Sequence, residues 1–380
     1  MLLTNKHVAI IGGGPGGLTL ARLLQRNGVN VTVYERDRHE HARAPGATLD
    51  LHDESGLAAL RQAGLMDAFL ANYRPGADRL SLVDQRAEVL LLEDERESGE
   101  LFRPEIDRGP LRKLLLDSLR PGTVQWNHQV LSMTARDDGW QLRFGNGSSA
   151  AANLVIGADG ANSRIRPFLT PINPFYSGIT LVEGNVYDSA AATPAIHTLL
   201  NGAKIFALGD SKTLIISSKG DGSLTFYTGS HHDETWCRDG APDFGNRGQV
   251  LAWFRREFAG WSPLWQELFA QASLPLVPRP QYCMPLNQHW ATSSTLTLIG
   301  DAAHLMPPYA GEGVNMAMRD ALDLSHCLLN ADSADLKSAI AAYEGQMLTR
   351  FREIGQLTLN QTASLHSPTA ASDMLAMLGH

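Results

Sequence analysis

The chain has 380 residues, 43% hydrophobic and 19% charged, enough for a large core divided into about two domains. Its formal charge of −8, from 32 basic and 40 acidic residues, argues against a nucleic-acid partner. No apolar run is long enough to span a bilayer, the N-terminus lacks a secretory signal pattern, and three scattered cysteines suggest neither disulfides nor a metal site, so a cytoplasmic protein without metal is expected.

The first predicted element is a short buried strand, Val8-Ala-Ile-Ile11, followed directly by Gly12-Gly-Gly14-Pro15-Gly-Gly17. A leucine- and alanine-rich helix runs from Leu18 to about Arg26, with Gly28 placed to end it. A second strand, Val31-Thr-Val-Tyr34, delivers Glu35 at its carboxyl end. Strand, glycine turn, helix, strand and acid are the parts of a dinucleotide-binding unit. Gly12 allows the tight turn, Gly14 lets backbone approach a pyrophosphate, and Gly17 lets helix and strand pack closely. The helix N-terminus offers N–H donors to phosphates, and Glu35 can accept from ribose hydroxyls.

Two later strands repeat the theme. Leu154-Val-Ile156 leads into Gly157-Ala-Asp159-Gly160 with Ser163 and Arg166, and Leu296-Thr-Leu-Ile299 leads into Gly300-Asp301. Each is an apolar strand carrying an aspartate to the carboxyl edge of a sheet, where ligands of open α/β sheets bind. After Asp301 come His304, Pro307-Pro308-Tyr309, then Gly311-Glu312-Gly313-Val314-Asn315 opening a helix to about Leu329. Pro307-Pro308 predicts an extended loop, while Gly311 and Gly313 admit a close approach to backbone.

Between 167 and about 290 no cofactor signature occurs. Thr213–Ser218 and Ser223–Thr228 predict a hairpin around the turn Lys219-Gly-Asp-Gly222, with further strands at Leu181–Tyr187 and Lys204–Leu208. Ala252–Phe258 and Pro263–Phe269 predict helices whose aromatics belong in a core. His231-His232-Asp233 has the composition of a metal site without its spacing. Asp335 to about Ser364 has helical composition.

The three strand ends together resemble the class A flavoprotein monooxygenases, the group that includes para-hydroxybenzoate hydroxylase. The resemblance covers essentially the whole chain. It implies an α/β fold: a Rossmann-like FAD-binding domain (1–166 and 291–334), an inserted β-sheet substrate domain (167–290), and a long C-terminal bridging helix (335–380). It also implies that Gly12, Gly14, Pro15, Gly17, Glu35, Arg36, Arg43, Asp50, Arg112, Asp159, Gly300, Asp301, Pro308, Gly311, Gly313, Val314 and Asn315 hold FAD. Among these, Asp301 would take the ribityl chain and Arg112 would lie beside the flavin.

The implied activity is hydroxylation of an electron-rich phenol or enol through a flavin C4a-hydroperoxide, with NADPH as a transient reductant and O2 as the oxygen source. The cofactor carries this chemistry, so no catalytic triad is expected. Arg112 and His304 are the nearest catalytic candidates, His304 with packing as its plainer role. The wording of Val33-Tyr-Glu-Arg-Asp37, Gly46-Ala-Thr-Leu-Asp-Leu-His52 and Tyr343-Glu-Gly-Gln-Met347 is closer to the tetracycline destructases. Tetracycline is then the expected substrate, held by Glu183, Lys204, Phe206, Ile215, Thr225, Pro308, Tyr309 and Gly311 of a monomer. The alternatives are a hydroxylase of another phenolic or polyketide-like compound, an FAD-dependent reductase, and a flavin-binding protein without enzymatic activity.

Overall fold

The computed structural model describes residues 2–42, 48–92 and 103–379. Its strands in chain order are β1 (His7–Ile11), β2 (Asn30–Tyr34), β3 (Thr48–Asp50), β4 (Leu80–Asp84), β5 (Val89–Leu92), β6 (Glu105–Asp107), β7 (Val124–Gln125), β8 (Val130–Arg136) and β9 (Gly139–Phe144). There follow β10 (Ser149–Ala152), β11 (Leu154–Gly157), β12 (Phe175–Val186), β13 (Lys204–Gly209), β14 (Lys212–Ser218), β15 (Leu224–His231), β16 (Val277–Cys283) and β17 (Leu296–Leu298). The helices that matter for the site are α1 (Pro15–Arg26), α2 (Arg108–Asp117), α3 (Arg247–Glu257), α4 (Gln266–Gln271), α5 (Gly313–Leu329), α6 (Leu336–Leu365) and α7 (Ala370–Met377).

The apolar runs of β1, β11 and β17 are those of strands covered on both faces, and they pair in parallel in a five-stranded sheet of order β17-β11-β1-β2-β7. Helices α1 and α5 approach so closely that a Cβ on Gly16 would lie 2.9 Å from the Ala317 carbonyl oxygen. The order places the ends of β1, β11 and β17 side by side, so the glycine turn, Asp159 and Asp301 border one crevice.

A seven-stranded sheet of order β16-β12-β15-β14-β13-β4-β5 forms the second layer. The predicted hairpin is there, with β14 and β15 antiparallel. One face carries Ile205, Ala207, Leu214, Ile216, Leu224 and Phe226 against Trp253, Phe254, Phe258, Trp265 and Phe269, so the helical aromatics are core. Truncating the fully buried Phe226 to alanine would cost about 3–5 kcal/mol. This sheet starts earlier in the chain than residue 167, because β4 and β5 belong to it and β4 pairs in parallel with β13.

The C-terminal bridge is two helices. Along α6, the Tyr343 hydroxyl donates to the Leu298 carbonyl at the end of β17 (2.9 Å), and Phe351 stacks on His304. At its far end the His366 ring, just past α6, reaches Tyr309 over the second sheet. Helix α7 then packs over Leu82, Phe206 and Leu208. Among the described residues no helix is long and apolar enough to cross a membrane.

Candidate active site

The glycine turn is built around contacts that exclude side chains. Gly12 has φ +116°, and a Cβ there would sit 2.2 Å from the Ala158 carbonyl oxygen; one on Gly17 would sit 2.2 Å from the Gly12 oxygen. The Cβ direction of Gly14 is open. Pro15 occupies the first turn of α1, and the Gly16 and Gly17 amides have no partner among the described residues, leaving donors for phosphate. The buried Glu35 carboxylate accepts from the Gly13 N–H at 2.6 Å and from the Asp37 N–H at 3.0 Å, fixing an acid beside the turn. Arg36 is exposed, and Arg43 lies outside the described residues.

Arg112 lies against the glycine turn and the loop after β2. It donates to the Glu40 carbonyl at 2.8 Å and the Gly13 carbonyl at 3.3 Å, approaches Asp37 at 3.3 Å, and lies over Trp126. It thereby fastens the loop after β2 to the glycine turn. Arg108, at the start of α2, has no hydrogen-bond or ion-pair partner among the described residues and lies close enough to oppose the rise that burial gives the Asp301 pKa, a second cation that the sequence reading passed over.

Asp301 is the site's exposed question. Its carboxylate has no hydrogen-bond partner among the described residues, and burial pushes its pKa up. The turn that presents it is tightly held. Gly300 has φ +59°, with Ala317 2.9 Å from where a Cβ would be. Arg166 donates to the Asp301 and Ala302 carbonyls at 2.8 and 2.7 Å. The Gly300 N–H donates to Asp320 at 2.8 Å, and His304 binds the same Asp320 oxygen at 2.5 Å. The other Asp320 oxygen takes Arg350 of α6 at 2.8 Å. His304 is thus buried and held by Asp320.

Two expected cofactor ligands have other work for their side chains. The Asp159 carboxylate accepts from the Ser163 hydroxyl (2.5 Å) and the Arg164 N–H (2.7 Å), so it organises its own turn. Asn315 is fully buried: its amide donates to the Asp50 and Gly311 carbonyls, and its oxygen accepts from the His52 N–H and the Ser55 hydroxyl. That lock ties the end of β3 to the first turn of α5. Asp50 packs against Gly311, where a Cβ would meet its Oδ1 at 3.1 Å, and binds His52 at 3.0 Å. His52 was missed by the sequence reading. The signal for it was weak, an acid and an imidazole two residues apart at a strand end.

The pairing register puts Lys204 and Phe206 opposite Ser217 and Ile215, those opposite Thr225 and Tyr227, and those opposite Asn185 and Glu183. All five sheet residues expected to touch substrate thus share one face, the one turned away from the aromatic core. They are not all free to do so. Lys204 is paired with Glu105, Glu183 with Arg279, and the fully buried Thr225 donates to Asn185 at 2.7 Å. Phe206 lies in the cluster beneath α7. The half-buried Ile215 and Tyr227 remain, and the Tyr227 hydroxyl, missed by the sequence reading, has no partner among the described residues. Tyr309 closes one end, its hydroxyl donating to His366 Nε2 at 3.1 Å, since His366 Nδ1 is committed to the Thr362 carbonyl. His231 and His232 diverge, one against His366 and the other stacked on Trp236.

Residues 5–353 match the family described as FAD binding domain. The chain belongs to that family. Within it, this flavoprotein is a class A FAD-dependent monooxygenase with the para-hydroxybenzoate hydroxylase-like fold. It is 31% identical to Monooxygenase asqM of Emericella nidulans over 97% of both chains. It is 30% identical to 3-amino-4-hydroxybenzoate 2-monooxygenase PtmB3 of Streptomyces platensis, over 97% of this chain and 91% of that one. The solved structure of tetracycline destructase Tet(55) superposes with a TM-score of 0.76 over 100% of this chain and 96% of that one, at 20% identity, a likeness of fold alone. The resemblance to tetracycline destructases is thus not singled out. The flavoprotein's residues fit FAD on their own terms: open amides at Gly16 and Gly17 suit a pyrophosphate, and the orphaned Asp301 carboxylate suits the ribityl hydroxyls.

Proposed function

We propose that this flavoprotein hydroxylates a compact phenolic or polyketide-like aromatic compound, using NAD(P)H and dioxygen. The observation that carries the reading is the substrate face of the second sheet. Its charged groups are consumed by one another, Lys204 by Glu105 and Glu183 by Arg279, leaving Ile215 and Tyr227 as floor. Such a surface suits a flat aromatic ring with few polar groups better than the hydroxyl- and amide-rich edge of tetracycline, which stands as the second reading. The likeness to PtmB3, a 3-amino-4-hydroxybenzoate 2-monooxygenase, supports a compact aromatic substrate.

When bound, FAD supplies the chemistry, accepting electrons from NAD(P)H and passing one oxygen atom to the substrate. The chain's own residues bind and orient. Gly12–Gly17 and Glu35 would hold the pyrophosphate and adenosine ribose, Asp301 the ribityl chain, and the α5 amides would meet the ring with a positive dipole end. Tyr309 and the α6–α7 corner bound that face at one end and would keep water from a substrate lying on it. The test is a substrate panel of hydroxybenzoates, aminohydroxybenzoates, fused phenols and tetracycline. It is read by NAD(P)H consumption and product mass. Oxygenation of the simple phenols with tetracycline unchanged supports the proposal, and oxygenation of tetracycline alone overturns it.

A further inference from the structure

The His52 imidazole sits between two carboxylates. Its Nε2 is 3.0 Å from Asp50 Oδ2, its Nδ1 is 3.3 Å from Glu312 Oε1, and the residue is 4% exposed. The ring thus lies between two acceptors, an arrangement that favours a hydrogen on each ring nitrogen and a cationic ring. Burial alone would favour the neutral ring, but Asp50 and Glu312 raise its pKa to about 9. The other charges facing this cluster are Arg103, 4.0 Å from Asp50, and the Lys204–Glu105 pair, whose lysine acts on Asp50. Ser55 and Asn315 supply only neutral groups.

The position gives the cation its consequence. Glu312 immediately precedes α5, and the Gly313, Val314 and Asn315 amides that open this helix have no partner among the described residues. Asn315 locks that turn to the backbone of Asp50 and His52. On the reading that this turn meets the flavin, two carboxylates lie at the very edge where a reduced ring gathers negative charge. His52 is the cation that lies between the two, with Arg103 and Lys204 acting on Asp50 from outside the pair. We propose that His52 is a positioning residue that holds the α5 turn and, by its fixed charge between Asp50 and Glu312, sets the reduction potential of the bound flavin.

The electrostatic part makes opposite predictions for two neighbours. In holoenzyme, His52→Gln removes the cation and should disfavour reduced flavin about tenfold, a fall of ~30 mV for a two-electron couple. Glu312→Gln removes an anion at the same place and should raise the potential by a similar amount, and the double variant should return toward wild type. Shifts of the same sign, or unmoved potentials in both variants, overturn the proposal. Should His52→Gln fail to fold, Glu312→Gln still decides, together with nitrogen NMR of the wild-type holoenzyme. A doubly protonated His52 ring at pH 7.5 is the expected spectrum, and a neutral tautomer contradicts it. A chain that binds no FAD overturns both this inference and the proposed function. One that binds FAD but oxygenates no phenol overturns the proposed function alone.

Discussion

Asp301→Ala separates cofactor binding from folding in one substitution. In the structure the half-buried Asp301 carboxylate lacks any hydrogen-bond partner among the described residues, and desolvation raises its pKa. A charged group in that state destabilises the protein that carries it, unless a ligand supplies donors. Two ribityl hydroxyls donating to it would make two charge-assisted bonds of about 1.5–3 kcal/mol each, about 3–6 kcal/mol together. Asp301→Ala should therefore weaken FAD binding by about 10²–10⁴-fold, which ultrafiltration and flavin fluorescence measure directly. The apoprotein should respond the other way, with a melting temperature equal to or above that of wild-type apoprotein. The sign is consistent with linkage: a carboxyl whose folded pKa is raised binds protons more tightly in the folded state, so wild-type apoprotein gains stability as pH falls toward 4 and the alanine variant loses that gain. A variant that purifies yellow and fully loaded refutes the assignment. An apoprotein that melts far below wild type shows instead that Asp301 has a structural partner.

Other expectations follow from the same geometry. Gly17→Ala puts a Cβ 2.2 Å from the Gly12 oxygen, so chemical denaturation should show a loss of about 1–3 kcal/mol together with weakened FAD retention. The folding stability that His52 contributes should be complete below pH 6.5 and be lost as pH rises through about 9, because its folded pKa is raised above the ordinary histidine value, and thermal melting of wild type against His52→Gln across that range reads it. Glu183→Gln releases Arg279, which is half exposed, so melting should hardly move while KM for aromatic carboxylates falls; an unchanged KM places Arg279 away from the substrate. Tyr227→Phe removes an unpartnered hydroxyl and should raise KM about fivefold with little change in stability, read by steady-state kinetics and thermal melting.

The nucleotide-binding half was legible because its signals are local. A glycine that must avoid a carbonyl, as at Gly12 and Gly17, and an acid at a strand end, as at Glu35 and Asp301, are dictated within a few residues of themselves. The sheet hairpin was legible for the same reason, its turn chemistry lying between two alternating runs. What could not be read was the set of partners brought from afar. Lys204 meets Glu105 and Glu183 meets Arg279 across about a hundred residues of chain, so residue type alone suggested free polar contacts where the fold makes internal pairs. The contacts of Arg112 with Glu40, Gly13 and Asp37 were hidden for a like reason, since they are set by how α2 crosses the glycine turn. His52 became visible only when Glu312, 260 positions later, closed on its other nitrogen.

The central claim is that the chain is a flavin-dependent oxygenase of aromatic compounds. Its most direct test is turnover of a phenol by the FAD-loaded protein with NADPH under isotopically labelled dioxygen. The phenol should accelerate NADPH oxidation and leave carrying one labelled oxygen atom. Consumption of NADPH without label in any product, or a substrate reduced in place of oxygenated, would contradict it.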